Sequence, residues 1–237
     1  MIDPATIPVS AIDWPGACRI IRSRFPPIDI FDDIAEPADW PLLLAAEQKT
    51  NPRLMETLGA IDLLPPQRRV AGPGASYLMA PFTQISRDRP SRFSDGRYGV
   101  LYAARQFETA LMETVHHHAL FMARTREVPG WTSQFREILL DITAALHDLR
   151  RGDAAVAPAL SPDDYAASQQ LAAVLRAGGS DGIAYPSQRH PTGECVALFY
   201  PDRARNPIQG RHLDYHWNGS SIDFYRDAGR GEVYQIS

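Results

Sequence analysis

Residues 131–149 read WTSQFREILLDITAALHDL. Trp131, Phe135, Ile138, Leu139, Ile142, Leu146 and Leu149 recur at intervals of three and four, the apolar stripe of an amphipathic helix. On that reading this is the chain's clearest helix, and its stripe is core with no chemistry to perform. The neighbouring segments then sort around a helical middle. Downstream, Ser161-Pro162-Asp163-Asp164 opens a helix that ends near Gly178-Gly179. Strands follow: DGIAYPS (181–187) and ECVALFY (194–200) flank a loop. DYHWNGSSIDFYR (214–226) is a hairpin signal with Asn218-Gly219 as a primed turn, and GEVYQIS adds a last strand.

Upstream, SRFSDGRYGVLYAA (91–104) is a turn-rich loop running into a short strand, Gly99 to Ala103. From Arg105 the period becomes helical. Phe107, Leu111, Val115 and Met122 share one side, and Ala110, Glu113 and His117 another. Gly72-Pro73-Gly74 breaks the chain before a short apolar piece. Further back, Asp39 caps a helix carrying Trp40 and Leu42–Ala46, and Asn51-Pro52 starts a second one that stops at Gly59. Residues 1–36 are rich in proline, with short extended pieces such as RIIRSRF (19–25) between the breaks. The fold class expected is α+β in a single domain, 1–237. Residues 1–60 form an extended and helical N-terminal portion, and 70–237 the main body.

Composition narrows the function classes. A chain of 237 residues with 44% hydrophobic and 22% charged residues can bury a full core without a metal or disulfide staple. Cys18 and Cys195 are its only cysteines, too few for a disulfide framework, which favours a reducing cytosol. The N-terminus has neither the basic nor the apolar region of a signal peptide, and no run of 18 apolar residues appears. A formal charge of -4 gives no reason to expect nucleic-acid or membrane-surface binding. Lys49 is the single lysine, so the basic residues are arginines, planar donors suited to phosphate and carboxylate.

Familiar cofactor signatures are absent: no GxGxxG, no GxxxxGK[ST], no GxSxG. His116-His117-His118 invites a metal reading, but adjacent helical residues diverge, and Glu113 with His117 is an i,i+4 pair that no HExxH completes. No metal is expected. The distinctive stretch is SRFSDGRYGVLYAARQFETALMETVHHH (91–118). Arg92 sits in a polar turn, Tyr102 ends the strand and Glu113 lies on the helix, so a helix packed back across the strand gathers all three. An arginine fork clamps a diphosphate or positions a carboxylate. A tyrosine either stacks on a planar heterocycle or offers its hydroxyl to a ribose. A glutamate can stabilise an oxocarbenium-like transition state. From spacing alone, each residue reads first as structural: a turn arginine, a core-edge tyrosine, a helix carboxylate paired with His117.

These residues carry a resemblance. With CRIIRSRFPPIDIFDDIA (18–35), GPGASYLMAPFTQ (72–84) and DGIAYPSQRHPTGECVALFYPDR (181–203), the central block resembles the RES-domain family, the toxin component of bacterial Xre–RES type II toxin–antitoxin systems. The resemblance implies an ADP-ribosyltransferase-like fold and a toxin that cleaves the nicotinamide–ribose bond of NAD. NAD is then a consumed substrate. The ADP-ribose passes to water (a glycohydrolase), to phosphate (a phosphorylase) or to a cellular protein target (a mono-ADP-ribosyltransferase). Motif matching assigns Arg92, Tyr102 and Glu113 to catalysis. Arg24, Arg92, Phe93, Ser94, Tyr102 and Ser187 are assigned to NAD binding, with Arg22 and Arg19 close enough to Arg24 to compete for its match. Many members carry Trp-Asn in place of Phe93-Ser94, which leaves the contacts of those two positions open. The implied partner is a small Xre-type antitoxin, with DNA contacted through that partner and not directly. A cytoplasmic location follows. A non-catalytic protein-interaction module is the reading from another class, and loss of free NAD on incubation separates the two.

Overall fold

Trp131–Asp148 is one continuous β-strand, not a helix. The computed structural model describes residues 2–23 and 61–236, and it corrects the sequence reading most sharply here. Ile138, Leu140, Ile142, Ala144 and Leu146 are buried, while Thr143 and Ala145 between them are exposed. Over residues 138–146 that is the period of two of a strand whose one face is core and whose other face is only partly covered, Leu139 packing against a second apolar cluster. An interval of four satisfies both periods, so Ile138, Ile142 and Leu146 could not separate them. The deciding pair is Leu140, buried, and Leu139, only partly so. What makes the strand is non-local. β-Branched Ile138, Ile142 and Thr143 suit a pleated surface, and both edges of the segment find long partners far away in sequence.

The strands are β1 (Val9–Arg22), β2 (Leu101–Ala104), β3 (Trp131–Asp148), β4 (Gly182–Pro186), β5 (Glu194–Leu198), β6 (Ala204–Trp217), β7 (Ile222–Asp227) and β8 (Glu232–Gln235). They form an eight-stranded sheet in the order β1-β2-β5-β4-β3-β6-β7-β8, with β1 also paired to β3. The pairings of β1, β2, β5, β4 and β3 therefore close on themselves, and β6, β7 and β8 continue outward from β3. β1 runs antiparallel to β3 from Val9↔His147 to Arg22↔Phe135. Pro15-Gly16 form a bulge in it, where Gly16 takes a φ of 65° and donates its N–H to Asp141 Oδ1 at 2.9 Å. Residues 9–22 are thus built into the sheet. The helices expected over 40–46 and 51–59, and Arg24 with them, lie outside the described residues.

The helices are α1 (Ala75–Thr83), α2 (Phe107–Met122) and α3 (Ala166–Ala177). Gly99 lets α1 approach: a Cβ there would meet Pro81 O at 2.2 Å. On α2, Leu111, Val115 and Met122 bury against Phe135, Leu213, Tyr215 and Trp217. The opposite side, with Glu113 and His117, is left facing a cleft. The β6–β7 connection is a four-residue loop, Asn218–Ser221, between the paired Trp217 and Ile222. This corrects the expected two-residue primed turn. Within the loop only Gly219 has positive φ, and the Asn218 side chain accepts the N–H groups of Ser220 and Ser221.

Candidate active site

Period two places Tyr102. Leu101 and Ala103 point into the core, so the side chain between them emerges on the other face of β2, at the cleft. The cleft has a volume of about 690 Å³, and its lining includes Arg19, Arg92, Tyr102, Glu113, His117 and Arg189. The Tyr102 hydroxyl is already engaged: it accepts the Phe93 N–H at 2.9 Å and shares a hydrogen bond with Ser91 Oγ at 2.8 Å. Burial pushes its pKa up to about 12, so it stays protonated in neutral solution. What it offers the cleft is its ring.

Arg92 sits in a tight turn in which Ser91 and Ser94 exchange backbone hydrogen bonds. Its buried guanidinium donates to Ser161 O at 2.6 Å and Pro162 O at 3.5 Å and lies over the Tyr165 ring. Phe93 and Ser94 turn away from the cleft. Phe93 is fully buried, edge-on to Tyr185. Ser94 Oγ donates to Tyr98 O and accepts the Gly96 N–H. Both shape the loop that presents Arg92 and braces Tyr102.

Glu113 is held from behind. Ser187 Oγ donates to Glu113 Oε1 at 2.7 Å, leaving Oε2 3.9 Å from His117 Nε2. Ser187 lies behind the carboxylate, not on the cleft wall, and its Oγ also accepts the backbone N–H groups of Arg189 and His190. The structure thus gathers Arg92, Tyr102 and Glu113 around one cleft, with Ser187 one contact deeper.

Motif matching offers Arg19 only as a competitor of Arg24. It lines the cleft from β1 and donates to Tyr102 O at 2.9 Å. Burial lowers its pKa to about 10, which leaves it a cation, and among the described residues no carboxylate pairs with it. Its placement depends on the Cys18↔Ala104 register between β1 and β2, which no local pattern announces. Arg189 lies at the other side, donating to Pro162 O at 2.8 Å and Asp163 Oδ1 at 3.2 Å.

The three histidines diverge. His118 is buried among Phe121, Phe135 and Tyr215, and burial, then the Arg22 charge, holds its pKa down to about 4. His116 and His117 line the cleft, and burial is the leading cause that lowers both, so they are mainly neutral near pH 7. Among the described residues no three His, Cys, Asp or Glu side chains gather as a metal-binding group. Cys18 and Cys195 lie on the cleft floor on either side of Ala104, and burial raises both thiols far above their ordinary range. Neither is a ready nucleophile.

Comparison with known proteins places this cleft in context. The uncharacterized protein y4oC of Sinorhizobium fredii (strain NBRC 101917 / NGR234) is 28% identical over 219 residues, covering 89% of this chain and 88% of the relative. The crystal structure of the M. tuberculosis MbcT–MbcA toxin–antitoxin complex aligns with a TM-score of 0.44 at 14% identity, over 87% of each chain. The model of the RES domain matches residues 66–218, a span that contains Arg92, Tyr102, Glu113 and Ser187. The chain belongs to the RES domain family.

Proposed function

We propose that this protein is a toxin that consumes NAD by breaking the bond between nicotinamide and ribose, in the manner of an ADP-ribosyltransferase fold. The observation that carries the reading is the state of Glu113: Oε1 is fixed by Ser187, and Oε2 is left toward a cleft walled by the Tyr102 ring and by Arg19, Arg92 and Arg189. A carboxylate held in one orientation beside cations and a flat ring suits a dinucleotide that must build positive charge on one sugar carbon.

The chain's own groups then divide the work. Arg19 and Arg92 attract and orient the diphosphate. The Tyr102 ring packs against the nicotinamide end. As the C1″–N bond lengthens, its electron pair leaves with nicotinamide, and the Glu113 carboxylate offsets the charge left on the ribose. An oxygen of the acceptor then bonds to C1″ and releases its proton to Glu113 or to solvent. Protonated Tyr102 and neutral His117 add no competing charge there. Water as acceptor gives ADP-ribose, and phosphate gives ADP-ribose 1″-phosphate. A cellular protein as acceptor gives the mono-ADP-ribosyltransferase reading.

A cognate antitoxin, of Xre type and carrying the DNA contacts, is the partner this reading requires, in the cytoplasm. Among the described residues no helix is long and apolar enough to cross a membrane. The test is mass analysis of products from labelled NAD incubated with the purified chain, alone, with phosphate, and with cell extract. Loss of NAD is expected, with Glu113→Gln slower by on the order of a hundredfold or more. Intact NAD in all three incubations, or full turnover by Glu113→Gln, overturns the proposal.

A further inference from the structure

The loop after β4 is clipped to α2 at two points one helical turn apart. Glu113 receives the Ser187 hydroxyl, and four residues earlier Thr109 Oγ1 shares a hydrogen bond with His190 Nδ1 at 2.9 Å. Positions i and i+4 lie on one helix face, so both clips act on the same side of α2. Thr109 is completely buried, which makes an unpaired hydroxyl there costly. The loop is also closed on itself: Ser187 N–H donates to Gly193 O at 2.8 Å, and Gly193 N–H to His190 O at 3.0 Å. Gly193 is required by space. A Cβ on it would stand 2.7 Å from both Thr109 Cγ2 and Oγ1, and 3.0 Å from His190 Nδ1.

We infer that Thr109 and His190 are positioning residues for Glu113, acting through Ser187. The chain of contacts is short. The His190 backbone N–H donates to Ser187 Oγ, and the His190 ring is anchored by Thr109. With two backbone N–H groups occupying the oxygen of Ser187, its single proton is directed to Glu113. Releasing the ring lets residues 187–190 drift, and the proton loses its fixed target. The inference rests on the reading of Glu113 as the carboxylate that meets the substrate. Neither Thr109 nor His190 touches the substrate on this account.

The experiment compares the full chain with Thr109→Val, His190→Ala, His190→Asn and Gly193→Ala, in two readouts. Amide hydrogen exchange at Arg189 and His190 reports the clip without any turnover, and kcat and KM for NAD report its effect on Glu113. Thr109→Val, His190→Ala and Gly193→Ala are expected to exchange at least about fivefold faster at those two amides. Their kcat should fall by roughly tenfold to a hundredfold with KM changed less than about twofold. His190→Asn, whose amide can reach the Nδ1 position, should recover most of both. His190 is only partly buried, so His190→Ala supplies the answer if Thr109→Val fails to fold. Unchanged exchange, or faster exchange with wild-type kcat, overturns the positioning role. If the wild-type chain leaves NAD intact, the catalytic reading of Glu113 fails instead, and the exchange data still uphold or overturn the clip itself.

Discussion

Ser187 Oγ donates to Glu113 Oε1 at 2.7 Å while accepting the N–H groups of Arg189 and His190 at 3.1 and 3.0 Å. A hydroxyl has one proton and two lone pairs, so this one is fully committed. In this arrangement it serves the carboxylate, and we propose that role for it in place of a contact to a ribose. Ser187→Ala removes the donor and strands two N–H groups together. Its kcat for NAD should drop by about tenfold to a hundredfold, while KM changes far less because Arg19 and Arg92 are untouched. A KM rise at constant kcat would instead place Ser187 in substrate binding.

Tyr102 makes the complementary case, because its hydroxyl serves the protein and its ring serves the cleft. Tyr102→Phe leaves the Phe93 N–H without its acceptor and should cost about 1–3 kcal/mol in unfolding free energy. Turnover should survive within about tenfold, since the ring still stacks. Tyr102→Ala removes the ring as well and should lose far more kcat/KM. Denaturant titration and steady-state kinetics on the two variants separate stability from chemistry. Equal kinetic losses would show that the hydroxyl, not the ring, meets the substrate.

The β3 strand gives a stability prediction that discriminates two readings of one sequence. A helix puts Leu139 in the core stripe and leaves Leu140 off it, whereas the strand buries Leu140 and leaves Leu139 half covered. Leu140→Ala should cost about 2–4 kcal/mol and Leu139→Ala about 1 kcal/mol, as read by urea unfolding. The reverse order would contradict the strand.

That pair also shows what could be read in advance. α2 and α3 were legible because glycine breakers and a 3.6 period are local properties, and Glu113 was legible with them; the start of α3 was not, since the helix begins at Ala166 behind an uncapped Tyr165 and not at Ser161–Asp164. β4 and β5 were legible as short apolar runs beside turn residues. β3 was not, since Ile138, Ile142 and Leu146 fit both periods. The choice between them is made by β1 and β6, more than a hundred and more than sixty residues away in the chain. The cleft divides in the same way. Arg92, Tyr102 and Glu113 belong to one continuous segment and a family motif. Arg19 reaches them only through strand register, and the Ser187–Glu113 contact spans 74 residues. Phe93 and Ser94 stand beside Arg92 in sequence but alternate away from it in space.

His118 should make the fold acid-sensitive. Burial holds its pKa at about 4 against an ordinary 6.5, so the folded chain resists a proton that the unfolded chain accepts. The sign follows: the penalty is absent above about pH 6.5, grows as pH falls, and is complete below about pH 4. The wild-type chain should lose roughly 1–3 kcal/mol over that window from this group. His118→Phe keeps an aromatic ring among Phe121, Phe135 and Tyr215 and has no proton to bind. Urea unfolding at pH 7 and pH 5 should therefore show a smaller acid loss in the variant. Parallel losses would mean that other groups carry the dependence.

Asp163 supplies a prediction in which stability and affinity separate. Its carboxylate is 84% exposed and lies 3.2 Å from Arg189, whose side chain is only 17% exposed at the cleft wall. So exposed a partner stabilises little, because water and salt screen it. Asp163→Asn should leave the unfolding midpoint unchanged within measurement. The same substitution removes a negative charge from the lining of a cleft expected to receive a diphosphate, and it frees Arg189 to meet one. KM for NAD should fall by about two- to fivefold at low salt, with kcat little altered. The advantage should shrink as ionic strength rises, since the Debye length contracts to about 8 Å near physiological salt. A KM that rises in Asp163→Asn would mean that the carboxylate holds Arg189 in its working position, and the pair would then be a brace for the substrate site instead of a competitor for it.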